Sequence, residues 1–156
     1  MSRAAPKPIY LAEPPAVYRV RPPVVVDCSV LTAVVFDEPL RDEAERLLTG
    51  KALHAPDLID CELANVATKK YRLRLAGDLK PDAVDGLLTQ ALECYLSLQL
   101  QRVGVDLPET VALATRYKLS AYDAAYLWLA AALKAPLATF DLRLGEAARL
   151  HLATLD

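Results

Sequence analysis

The stretch Val24-Val25-Val26-Asp27-Cys28-Ser29-Val30-Leu31-Thr32-Ala33-Val34-Val35-Phe36 decides the fold class. Three consecutive β-branched residues read as a short strand with no polar face, and such a strand belongs inside a sheet covered on both sides. The run stops at a carboxylate, and Ser29 opens an apolar segment through Phe36 that reads as a helix. A buried strand feeding straight into a helix is the first half of a β-α-β unit.

The same alternation continues downstream. Residues 40–49 are periodic helix, Ala52 to Ala55 a short strand, and Pro56-Asp57 starts a long helix to about Leu75. After the Ala76-Gly77-Asp78 break, Pro81 suits a first helical turn, and residues 82–101 follow as helix. Leu87, Leu88, Ala91, Leu92, Tyr95, Leu96 and Leu98 give that helix an apolar stripe wider than one sheet face covers, fit either for the core or for a partner. A strand over Val103 to Val105, helices over Pro108 to Tyr117 and Ala121 to Leu133, a strand over Leu137 to Thr139, a helix over Leu142 to Leu150 and a last strand over Leu152 to Thr154 complete the expectation. The predicted fold is α/β: a three-layer α/β/α sandwich around a central parallel sheet.

Upstream, residues 1–23 hold six of the eleven prolines together with Arg3, Lys7, Arg19 and Arg21, a composition that resists helix and central strand. They are expected to form an extended or disordered arm before a single domain over residues 24–156. With 156 residues, 54% of them apolar and 24% charged, a second catalytic domain does not fit. A formal net charge of -2 removes the global basic excess of a general nucleic-acid coat, so any polyanion must meet a local patch. Five glycines with neither GxGxxG nor GxxxxGK[ST] exclude the glycine-rich phosphate loops. Cys28, Cys61 and Cys94 lack CxxC spacing and there are only two histidines, which argues against a disulfide framework or zinc knuckle. With no signal-like apolar core and no run of roughly 18 apolar residues, the expected compartment is the cytoplasm.

In an open parallel sheet, sites form beyond the carboxyl ends of the strands. Asp27 directly follows the first strand, Asp141 follows Leu137 to Thr139 by one residue, Glu62 lies early in the helix after Ala52 to Ala55, and Asp123 begins the helix before Leu137. Each has an ordinary structural role open to it. Asp27 or Ser29 can cap the first helix, Asp141 can cap the helix at Leu142, and Ser120-x-x-Asp123 fits a capping box. Glu62 sits between Leu58 and Val66 with Asn65 three residues on, where its partner is either a basic residue such as Lys69 or Lys70 or something at the site. Together the four acids ask for a cation, because like charges about 4 Å apart repel by about 4 kcal/mol at an effective dielectric near 20. Hard oxygen ligands suit Mg²⁺ or Mn²⁺ better than zinc, and the chemistry such an ion serves is phosphodiester hydrolysis.

Four blocks carry a family resemblance: Asp27-Cys28-Ser29; Ala55-Pro56-Asp57-Leu58 running to Glu62 and Asn65; Leu119-Ser120-Ala121-Tyr122-Asp123-Ala124-Ala125-Tyr126; and Leu137-Ala138-Thr139-Phe140-Asp141. In this order and spacing the chain resembles a PIN-domain ribonuclease of the VapC toxin type, from Val24 to the C-terminus. The resemblance implies that Asp27, Glu62, Asp123 and Asp141 hold Mg²⁺ or Mn²⁺ for RNA cleavage, supported by Ser29, Asn65 and Thr139. It also implies an antitoxin protein that lies across the groove, and a homodimer. Lys69, Lys70, Arg72, Arg74 and Lys80 form a local basic cluster suited to an RNA backbone or to a solvated helix face. The Pro-rich arm departs from the family pattern.

The rival readings are a PIN nuclease of RNA maturation or decay without an antitoxin, and a non-catalytic module binding RNA or protein. A haloacid-dehalogenase-like phosphatase needs a second Asp two residues after the first, where Ser29 stands. A receiver domain needs an acidic pair and a late Lys that are not in register.

Overall fold

The computed structural model describes residues 21–77 and 79–155; the predicted arm falls outside them as far as residue 20. In chain order the elements are β1 (Pro23–Val26), α1 (Cys28–Val35), α2 (Arg41–Leu48), β2 (Ala52–Pro56), α3 (Ile59–Leu75), α4 (Pro81–Ser97), β3 (Leu100–Val103), α5 (Leu107–Tyr117), α6 (Ala121–Ala132), β4 (Leu137–Ala138) and α7 (Leu142–Leu152).

β1 is the hub of the sheet. Its three valines are buried, as an all-apolar strand covered on both faces must be. It pairs in parallel with β2, placing Val24 opposite Leu53, and with β4, placing Val26 opposite Ala138. β2 in turn pairs with β3 through Leu53 and Leu100, giving the parallel order β3-β2-β1-β4. The helices fall into two sets by their packing: α1 touches α2, α3 and α4, whereas α6 touches α5 and α7 and lies on β1, β2 and β4. The result is the expected three-layer α/β/α architecture. Leu31, Ile59, Leu63, Tyr126, Leu127, Leu129 and Leu144 are fully buried in it.

Three expectations are corrected. The third strand is Leu100–Val103, not Val103 to Val105, because α4 ends at Ser97, whose hydroxyl donates to the Cys94 carbonyl at 2.7 Å, and Leu98 is already extended. Leu100 then takes the buried register position beside Leu53, and Asp106 caps α5 at once, leaving no room for a strand further on. The final strand over Leu152 to Thr154 does not form: the apolar period Leu144, Ala147, Ala148 carries α7 on to Leu152. The long helix expected from Pro56-Asp57 starts at Ile59, since Pro56 closes β2. On α4 the wide stripe divides: Ala91 and Tyr95 are buried, whereas Leu92 and Leu96 remain exposed.

Candidate active site

The order β3-β2-β1-β4 places a topological switch between β1 and β4, since the chain leaves β1 toward β2 and later returns on its other side. Ligand crevices in open α/β sheets open at the carboxyl ends of such strands. Asp27 and Thr139 are the residues immediately beyond those two ends, and the Asp27 N–H donates to the Ala138 carbonyl at 3.0 Å. The sheet itself therefore brings together two of the four blocks that lie far apart in sequence.

Hydrogen bonds complete the join. Oδ2 of the buried Asp27 accepts from the Ser29 hydroxyl at 2.6 Å, the Ser29 N–H at 3.3 Å and the Thr139 hydroxyl at 2.9 Å. Ser29 Oγ accepts from the Phe140 N–H, and Thr139 Oγ1 accepts from the Asp141 N–H, both at 2.9 Å. Asp27, Ser29, Thr139 and Asp141 thus form one continuous network. Asp27 is also the N-cap of α1, and Asp141 the N-cap of α7 through the Leu144 N–H at 2.8 Å. The capping roles and the convergence coexist.

Glu62 reaches the group from α3. Neither Lys69 nor Lys70 is its partner: Lys70 pairs with Glu38, and a Glu62 oxygen accepts from the hydroxyl of Tyr126. Burial pushes the Glu62 carboxyl above its ordinary value; the Tyr126 bond opposes this, and the charges of Asp27 and Asp123 add to it. Burial likewise pushes the Cys28 thiol up to about 11, with the charges of Glu62 and Asp27 adding to it and the Thr32 hydroxyl opposing, so Cys28 is no thiolate nucleophile. Asp123 sits at the start of α6, where Ser120 Oγ accepts from its N–H at 3.0 Å and donates to its Oδ2 at 2.7 Å. The Ser120 side of the expected capping box forms, and the carboxylate meets the hydroxyl in place of an amide.

A groove of about 700 Å³ opens beside these groups, with Ser29, Glu62, Asn65, Tyr122 and Phe140 on its walls. Asn65 is exposed there and contributes to the wall and not to the network. A family model described as the PIN domain matches residues 24–150. The chain belongs to the PIN-domain family. Among PIN proteins it is similar to Ribonuclease VapC3 of Pyrobaculum aerophilum, 32% identical over 124 residues, which cover 79% of this chain and 92% of that protein. VapC ribonuclease Mb0985 of Mycobacterium bovis and Ribonuclease VapC9 of Mycobacterium tuberculosis are each 36% identical over 124 residues, covering 79% of this chain and 89% of theirs. In fold it is similar to the crystal structure of PAE2754 from Pyrobaculum aerophilum, with a TM-score of 0.58 and 22% identity over 88% of this chain and 93% of that one.

The four carboxylates are hard oxygen donors, the class of ligand that suits a divalent cation such as Mg²⁺ or Mn²⁺. In the described hydrogen bonds each of the four carboxylates uses a single oxygen: Asp27 Oδ2, Glu62 Oε2, Asp123 Oδ2 and Asp141 Oδ1. None of the four is in an ion pair among the described residues. As the side chains stand, no three His, Cys, Asp or Glu groups among the described residues lie close enough to hold one ion.

Thr139 is the hinge of the network, because one hydroxyl donates to Asp27 and accepts from the Asp141 N–H. Thr139→Val keeps the shape and removes both bonds. The expected cost is about 1 kcal/mol of stability by thermal melting, with RNA cleavage down about tenfold. Unchanged cleavage would show that the network serves the fold alone.

Proposed function

We propose that this chain is a metal-dependent endoribonuclease acting as the toxin of a toxin–antitoxin pair, with Asp27, Glu62, Asp123 and Asp141 holding Mg²⁺ or Mn²⁺. One observation carries the reading. Asp27 and Asp123, from separate segments, act electrostatically on Glu62, and Asp27 at the sheet's switch point is tied through the Thr139 hydroxyl to the Asp141 backbone N–H. A cation placed among these acids would offset their mutual repulsion, and hard carboxylate oxygens suit Mg²⁺ or Mn²⁺. When bound, the ion supplies Lewis-acid polarisation of the scissile phosphate and offsets the charge that develops there. The names of the VapC ribonuclease relatives support RNA as the substrate.

The chain's own residues supply the rest. Thr139 and Ser29 fix Asp27 by donating to it, so the carboxylate does not reorganise during the reaction. Lys69 and Arg72 lie further along α3 from Glu62, exposed and in no ion pair among the described residues, and attract the phosphate backbone toward the groove. Tyr122, 62% exposed at the groove wall, offers a ring for base stacking. Leu40, Leu58, Val66 and Phe140 give the groove an apolar side that suits the antitoxin segment that quiets the enzyme. The exposed Leu92 and Leu96 edge of α4 suits a second copy in a homodimer. No helix among the described residues is long and apolar enough to cross a membrane.

Purified protein incubated with total RNA and Mn²⁺ or Mg²⁺ is expected to give discrete cuts that EDTA abolishes. Millimolar Mn²⁺ without RNA is expected to raise the melting temperature, since an ion held by the native state stabilises it by mass action. Inhibitor-free, folded protein that cuts nothing would move the reading to a non-catalytic binding module. Cleavage unaffected by EDTA would sink the metal assignment alone.

A further inference from the structure

We infer that Tyr126 is a positioning residue for RNA cleavage, fixing the Glu62 carboxylate through a hydrogen bond from its buried phenol. The inference rests on the reading of the acid group as a metal-dependent nuclease site, and it concerns a residue outside the four acids.

Tyr126 is fully buried on α6, a helix that also buries Ala124, Ala125, Leu127 and Leu129. A phenol in such a place needs a hydrogen-bond partner, and the described partner is Glu62, 64 residues away on α3. The bond therefore links the two sets of helices at the acid group. Tyr126 also stands three residues after Asp123, so one face of α6 presents an acid of the site and, a turn deeper, the anchor of another. Glu62 is a long, half-buried side chain with several rotatable bonds. Holding Oε2 with a fixed phenol removes much of that freedom and leaves Oε1 as the remaining acceptor. Outer partners that orient an acidic ligand in this way commonly set metal affinity and rate by 10- to 100-fold, in order of magnitude.

Wild type, Tyr126→Phe, Glu62→Gln and the double variant, all full chain, distinguish positioning from packing. Phe keeps the ring and removes one oxygen, so the fold is retained, as circular dichroism verifies. Each protein is titrated with Mn²⁺ alone and read by melting temperature, and cleavage of one defined RNA is followed across substrate concentrations. Tyr126→Phe is expected to need about tenfold more Mn²⁺ for the same rise in melting temperature and to lose about tenfold in kcat, with KM within about twofold. In the Glu62→Gln background the same substitution is expected to move the Mn²⁺ titration far less, since the charged ligand that Tyr126 positions has been removed.

A lower metal-free melting temperature with an unmoved Mn²⁺ titration and unmoved kcat assigns Tyr126 to packing and overturns the inference. An undiminished effect on top of Glu62→Gln overturns it as well. A wild type that cleaves RNA without any Mn²⁺ response removes the metal reading, and kcat then decides: a tenfold loss at constant KM sustains the positioning role, and no loss ends it. A wild type that neither responds to Mn²⁺ nor cleaves overturns both.

Discussion

Asp27→Asn is expected to lower RNA cleavage by about 10²- to 10³-fold, the scale seen when one preorganised electrostatic group is removed from a site, while leaving the melting temperature nearly where it was. The two halves of this expectation come from different properties of the side chain. Oδ2 holds the fold: it accepts from Ser29 and Thr139 and caps α1, and the amide oxygen of Asn accepts the same three bonds. What Asn lacks is the charge. Losing it weakens those bonds and also relieves the repulsion that Asp27 exerts on Glu62. The two effects oppose each other, so the net change is expected within about 1 kcal/mol, or roughly 2–4 °C for a domain of this size. Asp27→Ala differs, because it strands the Ser29 N–H and the Thr139 hydroxyl without their acceptor. Its expected cost is about 1–3 kcal/mol. Thermal melting of both variants beside a cleavage assay separates the roles: an Asn variant with full rate would remove Asp27 from the chemistry, and an Asn variant as unstable as Ala would show that the charge serves the cap.

Which parts of this arrangement were legible in the sequence follows from the range of the interactions concerned. Val24 to Val26 read as a buried strand because burial on both faces leaves no polar alternation, and Asp27 read as a site candidate because it ends that strand. The capping of α1, α6 and α7 by Asp27, Ser120 and Asp141 depends on residues two or three apart, and it appears where spacing predicts it. Longer-range facts were hidden. That Thr139 bridges Asp27 and Asp141 depends on β4 pairing beside β1, which no local pattern encodes. Tyr126 was visible only as part of a quoted block, although a signal existed: a phenol within the apolar face of Ala121 to Ala132 has to find an acceptor, and an acid of the site is the nearest class of partner. The misplaced third strand has a related cause. Leu98 and Leu100 extend the apolar series of α4, and only the register with Leu53 shows that Leu100 belongs to the sheet.

Glu62→Gln is expected to change stability and activity in opposite directions. The Glu62 carboxyl titrates above the ordinary 4.5 in the folded chain, chiefly because burial disfavours the charge, with Asp27 and Asp123 adding to the effect. For a carboxyl raised in this way, the native state holds the proton more tightly than the unfolded chain does. Its contribution to stability is therefore fully present below pH 4.5 and is lost as the pH rises through the raised value. Above that raised value the metal-free wild type carries the Glu62 charge half-buried beside other acids. The substitution puts a neutral amide there, and its carbonyl still accepts from Tyr126. The variant is expected to melt higher than wild type at pH 7.5 without metal, and the gap is expected to close as the pH falls toward 4. Added Mn²⁺ is expected to reverse the order, because wild type gains the bound ion and the variant loses a ligand charge, with cleavage down by about 10²- to 10³-fold. A gap of constant size from pH 4 to pH 7.5 would show that Glu62 is not the group being relieved. If Mn²⁺ stabilised both proteins equally, Glu62 would be a buried acid answered by Tyr126 alone, and the metal would belong to the remaining three carboxylates.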